Sequence, residues 1–122
     1  MRVLEGLKPE KVFYYFEEIS KIPRCSGKEK QVSDYLYNFA KSRNLEVIQD
    51  EHLNVIIKKP ASRGYENAPV VMLQAHMDMV CEKNEGVEHD FDKDPIKLRI
   101  EDGYIYAADT TLGADNGIGV AF

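Results

Sequence analysis

An α/β fold, with a mixed sheet, a central parallel strand and helices packed on it, is what the sequence predicts, on three observations. Val70-Val71-Met72-Leu73 follows Pro69 as an unbroken apolar run, the pattern of a strand covered on both faces. Two longer stretches upstream repeat apolar residues at helical spacing. Shorter runs on either side of the apolar run read as strands joined by tight turns.

Taken in order, Pro9 suits the first turn of a helix, and Val12, Phe13, Phe16 and Ile19 recur at helical spacing until Pro23 stops the run. The first helix is therefore predicted over residues 9–21. Its adjacent pair Glu17-Glu18 reads as an exposed helix face. Ser26-Gly27-Lys28-Glu29 has the form of a capping box, opening a second helix over residues 26–43 whose buried stripe is Val32, Tyr35, Leu36, Phe39 and Ala40. Tyr14, Tyr15, Tyr35 and Tyr37, at helical spacing, are read as core or half-core residues rather than a binding surface.

Asn44 marks the helix stop. Residues 45–50 and 54–58 follow as antiparallel strands around the turn Glu51-His52-Leu53, with His52 a solvated turn residue. A polar loop, residues 60–67, leads to the central strand, predicted over residues 70–75. Residues 82–94 hold six acidic side chains without periodicity and read as a loop, with His89 in it solvated rather than a ligand. Ile96-Lys97-Leu98-Arg99-Ile100 alternates apolar and charged, and Asp102-Gly103 supplies the turn into Tyr104-Ile105-Tyr106.

Composition excludes several function classes. With 43% hydrophobic and 30% charged residues in 122, the chain has the make-up of a soluble globular protein. No stretch approaches the roughly 20 apolar residues that span a bilayer, so no membrane partner is expected. A net charge of -5 without a basic cluster argues against nucleic acid. The first residues, Met1-Arg2-Val3-Leu4-Glu5-Gly6, hold no apolar core of signal-peptide length, which makes the cytoplasm the expected compartment. Cys25 and Cys81 are too few for a disulfide framework or a cysteine-rich zinc site and are read as reduced thiols.

The chemistry concentrates where the apolar run stops, at His76 and Asp78. Two residues apart in extended backbone, they point to the same side, and a histidine beside a carboxylate is the pattern of a metal ligand with the partner that orients it. A polar strand end making ordinary hydrogen bonds would look the same. Support comes from Thr110-Thr111-Leu112-Gly113-Ala114-Asp115-Asn116-Gly117-Ile118-Gly119, which offers a second carboxylate flanked by glycines that permit tight turns and close approach. Gly113, Gly117 and Gly119 do not match the dinucleotide fingerprint G-x-G-x-x-G, so a nucleotide-binding module is set aside.

Together, His76-Met77-Asp78 after an apolar run and Gly113-Ala114-Asp115-Asn116-Gly117 resemble the first two metal-site motifs of the M20 zinc peptidases. With His89-Asp90-Phe91-Asp92-Lys93-Asp94-Pro95-Ile96 between them, they look more narrowly like the aminoacyl-histidine dipeptidase branch, along nearly the whole chain. The resemblance implies hydrolysis of dipeptides, Xaa-His among them, by two Zn2+ ions, with Mn2+ or Co2+ as possible substitutes. His76 would bind one metal ion and Asp115 would bridge two. Asp78 would serve catalysis by holding the His76 imidazole in the correct tautomer. The resemblance further implies a cis peptide bond after Asp115 in the intact enzyme, with less to hold it in residues 1–122 alone.

The resemblance also implies a Glu-Glu pair whose first member is the general base, a further acidic ligand and a late histidine, none of which can be placed in residues 1–122. The chain is therefore expected to be the N-terminal portion of a catalytic domain, lacking the lid or dimerisation domain, inactive by itself and homodimeric at full length. Deacetylases and deacylases share the same motifs, so another amide substrate is the alternative within the family. A non-catalytic relative serving binding or assembly is the alternative outside enzymes.

Overall fold

Helical spacing is realised in both upstream stretches. In the computed structural model, which describes residues 1–122, helix α1 spans Glu10–Ser20 and helix α2 spans Lys30–Ser42. Phe16 and Ile19 are buried on α1, and Val32 and Ala40 on α2, as the apolar periodicity requires. Asn44 takes a left-handed φ of 56° just beyond α2, and the Leu45 amide donates back to the Ala40 carbonyl. That is how a helix end satisfies its last carbonyls.

The chain divides into two compact units, one of residues 33–74 and one of residues 1–32 with 75–122. In the first, strands β1 (Glu46–Gln49) and β2 (Val55–Lys58) pair antiparallel. Gln49 Nε2 donates to Ser33 Oγ and to Asp34 Oδ1, and Ser33 Oγ donates to the Leu53 carbonyl. These bonds hold the hairpin to α2.

In the second unit, β3 (Leu98–Glu101) and β4 (Tyr104–Ala107) form an antiparallel hairpin. Asp102 and Gly103 both take positive φ at its turn, the geometry that matches strand twist. Helix α3 (Ala114–Ala121) packs against α1. None of the helices is long and apolar enough to cross a membrane. The architecture is α/β, with three helices and two small antiparallel sheets.

Four expectations are corrected. The central strand over residues 70–75 does not form, and Val70, Val71, Met72 and Leu73 are 80–96% exposed. An extended segment becomes a strand only beside a neighbour that takes up its N–H and C=O groups, and none of β1–β4 pairs with it. Parallel pairing is reduced to one bridge, Cys25 with Met79. The capping box at Ser26 is also absent. Ser26 is engaged elsewhere, Glu29 accepts from the Gly27 amide, and α2 begins at Lys30.

Glu17 is buried rather than on an exposed face, its two oxygens accepting from the Val3 and Leu4 amides. Helical periodicity identifies the face turned from the core but not whether a preceding segment folds back over it. Finally, Cys25 and Cys81 are a disulfide, with Cα atoms 5.6 Å apart, inside the range a disulfide spans. The Cys25–Met79 bridge brings together two thiols that are 56 residues apart, a proximity invisible in their spacing.

Closing a 56-residue loop removes enough unfolded-state entropy to stabilise the fold by about 4 kcal/mol. Urea unfolding of the oxidised chain, of the reduced chain and of Cys25→Ser measures this. The oxidised chain should be more stable by about that amount, and superimposable curves would show that the bond constrains nothing.

Candidate metal centre

His76 and Asp78 lie on an irregular segment that the chain holds in place from three sides. His76 Nδ1 is 3.1 Å from Asp78 Oδ1 and 3.1 Å from the Asp78 carbonyl. His76 Nε2 is 3.0 Å from Asp115 Oδ1. One imidazole thus stands between two carboxylates, with Asp78 at one nitrogen and Asp115 at the other, 39 residues further on.

Asp115 sits where α3 starts. Gly113 takes the N-cap position in a left-handed conformation, φ 74°, and Asp115 and Asn116 keep non-helical backbone before the regular turns begin. The bond between Asp115 and Asn116 is cis in this chain, the form that the resemblance implies for the intact enzyme. These irregular residues leave the Asp115 side chain standing in solvent, 96% exposed, facing His76. The glycines have specific reasons. A Cβ at Gly113 would come within 2.5 Å of Arg24 Nη2, one at Gly117 within 2.8 Å of it, and one at Gly119 within 2.1 Å of Asn116 Oδ1.

Two residues that the sequence does not connect with the site, Arg24 and Ser26, complete the arrangement. Ser26 Oγ donates to Asp78 Oδ2 at 2.5 Å, a hydroxyl-to-carboxylate bond of the strong, short kind. Arg24, fully buried, donates from Nη1 to the Met77 carbonyl at 3.1 Å and from Nη2 to the Gly113 carbonyl at 2.8 Å. Nothing local reveals either, because their partners lie 52, 53 and 89 residues away. A further splice joins the same segments. Asn84 and Thr111 amides donate to Asp109 and Glu82 carbonyls, and Thr111 Oγ1 donates to the Val80 carbonyl. Of the other histidines, His52 is exposed as expected. His89 is not simply solvated, since its ring packs edge-on against Phe91 at 4.5 Å and its Nε2 is buried.

The electrostatics follow the hydrogen bonds. The Asp115 carboxylate at Nε2, then the Asp78 carbonyl and carboxylate at Nδ1, hold the His76 pKa above the ordinary imidazole value. The Ser26 hydroxyl, followed by His76, holds Asp78 below the usual carboxylate range. Burial pulls the Arg24 guanidinium down, against the pull of the nearby Asp78 charge.

Imidazole nitrogen and carboxylate oxygen are donors that suit zinc, and two donors on one tetrahedral zinc stand about 3.3 Å apart. The 3.0 Å between Nε2 and Oδ1 needs little adjustment to admit such an ion. Asp78 on Nδ1 is the orienting contact that ligating histidines make. No group of three His, Cys, Asp or Glu side chains is arranged to hold one ion. The residues therefore fit part of a metal site, two donors and an orienting carboxylate, short of the three protein ligands of a catalytic zinc.

Comparison with known proteins identifies relatives of the chain. No family profile matches the chain. The chain is 45% identical over 121 residues to the cytosol non-specific dipeptidase of Escherichia coli (strain K12), covering 99% of this chain and 25% of that protein. Its backbone matches the crystal structure of aminoacylhistidine dipeptidase from Vibrio alginolyticus with a TM-score of 0.93 and 44% identity, over 97% of this chain and 24% of that one. The resemblance read from the two motifs is borne out, and the chain spans about a quarter of the length of these relatives.

In the metal-free chain, His76 should titrate above about 6.5 by NMR of the ring, and Asp115→Asn should lower that pKa, since the Asp115 hydrogen bond at Nε2 is the first cause of its elevation. The stabilisation from this pairing is full below the unfolded-state pKa and is lost as pH rises through the raised folded value. A His76 that titrates below the ordinary value, or is indifferent to Asp115→Asn, would show that the pairing does not persist in solution.

Proposed function

We propose that this chain supplies part of the active centre of an M20-type metal-dependent dipeptidase, with His76 and Asp115 as metal ligands and Asp78 as the residue that orients His76. The single observation carrying this is the alignment of Asp78, His76 and Asp115 across one imidazole, with donor atoms 3.0–3.1 Å apart. Both relatives are dipeptidases by name. A bound divalent cation would polarise the scissile carbonyl and make water a better nucleophile at neutral pH.

What the residues themselves do is simpler. Asp78, held by Ser26, accepts a hydrogen bond from the Nδ1–H of His76, which would leave Nε2 free of a proton for the ion. Asp115 presents its exposed carboxylate from the irregular start of α3, where with His76 it would hold divalent metal. Residues outside the chain would supply the general base and the remaining ligands, so the chain alone is inactive. Zinc is the proposed metal, two ions per site, and dipeptides, Xaa-His among them, the substrates, with a homodimer as the full-length assembly.

A cytosolic location is proposed from the name of the Escherichia coli relative. The Cys25–Cys81 bond argues the other way, because disulfides are rare where glutathione keeps thiols reduced. Alkylation of the protein in freshly lysed cells separates the two.

The function is tested with a hybrid in which this chain replaces the matching quarter of the Escherichia coli dipeptidase. The hybrid should hydrolyse dipeptides when zinc or manganese is added, and the 122-residue chain should not. Asp78→Ala should lower the rate by roughly 10–100-fold, the usual cost of removing a ligand's orienting partner, and His76→Ala and Asp115→Ala by more. Hydrolysis that survives both ligand substitutions would remove these residues from the site.

A further inference from the structure

We propose that Arg24 is the positioning residue of the pair His76 and Asp115, setting the separation of the two segments that carry them without touching the ion. The proposal deepens the metal-ligand reading above and rests on it.

The guanidinium is withdrawn from water, and its two hydrogen bonds go to main-chain carbonyls, with Nε buried and unpartnered. Placing a cation there is costly. Filling the space alone would be done better by an apolar side chain. What the guanidinium adds is a rigid planar fork that holds two acceptors at a set distance. One acceptor, Met77, adjoins His76; the other, Gly113, lies two residues before Asp115. The main chain of Arg24 reinforces the first tie, its carbonyl accepting from the Met79 amide at 3.0 Å.

The backbone is cleared around the fork. At Gly113 and Gly117 any side chain would strike Nη2, so both ends of the second motif are shaped to Arg24. Its charge, meanwhile, acts against its geometry. A fixed cation beside the site repels a metal ion, so if charge were its only influence, removing it would tighten metal binding. If it positions the ligands, removing it loosens binding. The two roles predict opposite signs.

The test uses the 122-residue chain and its Arg24→Lys and Arg24→Met variants, with circular dichroism and the Cys25–Cys81 linkage as checks on the fold. In metal-free samples, NMR reads the proximity of the His76 ring to the Asp115 side chain. In cobalt(II) titrations, the visible absorption spectrum reads affinity and ligand geometry.

Both variants should lose the His76–Asp115 contact and bind cobalt roughly tenfold or more weakly, with an altered spectrum, since outer contacts of ligands are worth about 10–100-fold in metal affinity. Lysine keeps the charge but cannot bridge both carbonyls. A folded Arg24→Met that keeps the contact and binds cobalt as tightly as before, or more tightly, overturns the proposal. If Arg24→Met does not fold, Arg24→Lys decides: unchanged contact and affinity overturn the proposal, and loss of both supports it. Should the unaltered chain take up no cobalt, the metal-ligand reading fails, and the metal-free contact still decides for or against Arg24.

Discussion

A guanidinium buried away from water must be given acceptors, and in this chain those offered to Arg24 are the carbonyls of Met77 and Gly113. That requirement draws together three distant stretches: the loop after α1, the His76 segment and the start of α3. The residues beside Arg24 add to the same junction. Cys25 forms the disulfide to Cys81, and Ser26 donates from its hydroxyl to Asp78 and from its amide to the Met79 carbonyl. Three successive residues thus secure one short segment by a charged fork, a covalent bond and a hydroxyl.

The junction explains why the second motif is rich in glycine. Glycines at a turn suggest conformational freedom, and Gly113, with φ 74°, does use it. Gly117 has no such φ, and there the absent side chain is what matters, because Arg24 and Phe16 occupy the space. The packing of α3 on α1 and the placing of Asp115 are therefore one problem. Glu17 plays a comparable part on α1, where its carboxylate gathers the Val3 and Leu4 amides and ties the amino-terminal residues to the helix.

The candidate site is built at the surface. His76 is half exposed and Asp115 almost fully so, an arrangement suited to receiving an ion and further groups. Order in such an open place comes from beneath. Asp78 is the least exposed of the three, and it is bonded to Ser26, which in turn is anchored through the junction.

Much of this protein was legible in its residues. The two helices, both hairpins, the Asp102-Gly103 turn and the Asn44 stop are local features, set by contacts a few residues apart, and the structure keeps each of them. His76, Asp78 and Asp115 were legible because imidazole and carboxylate at those positions have a known chemical use. Arg24, Ser26, the Cys25–Cys81 bond and the burial of Glu17 were not, since each depends on a partner from 13 to 89 residues away. The apolar run at residues 70–73 shows the same limit from the other side. Its composition states that it favours burial, but burial is completed by neighbours, and in this chain none pairs with it. Side-chain periodicity is written along the chain, whereas which loops lie side by side is decided by the folded whole, and that alone determined how the site is held.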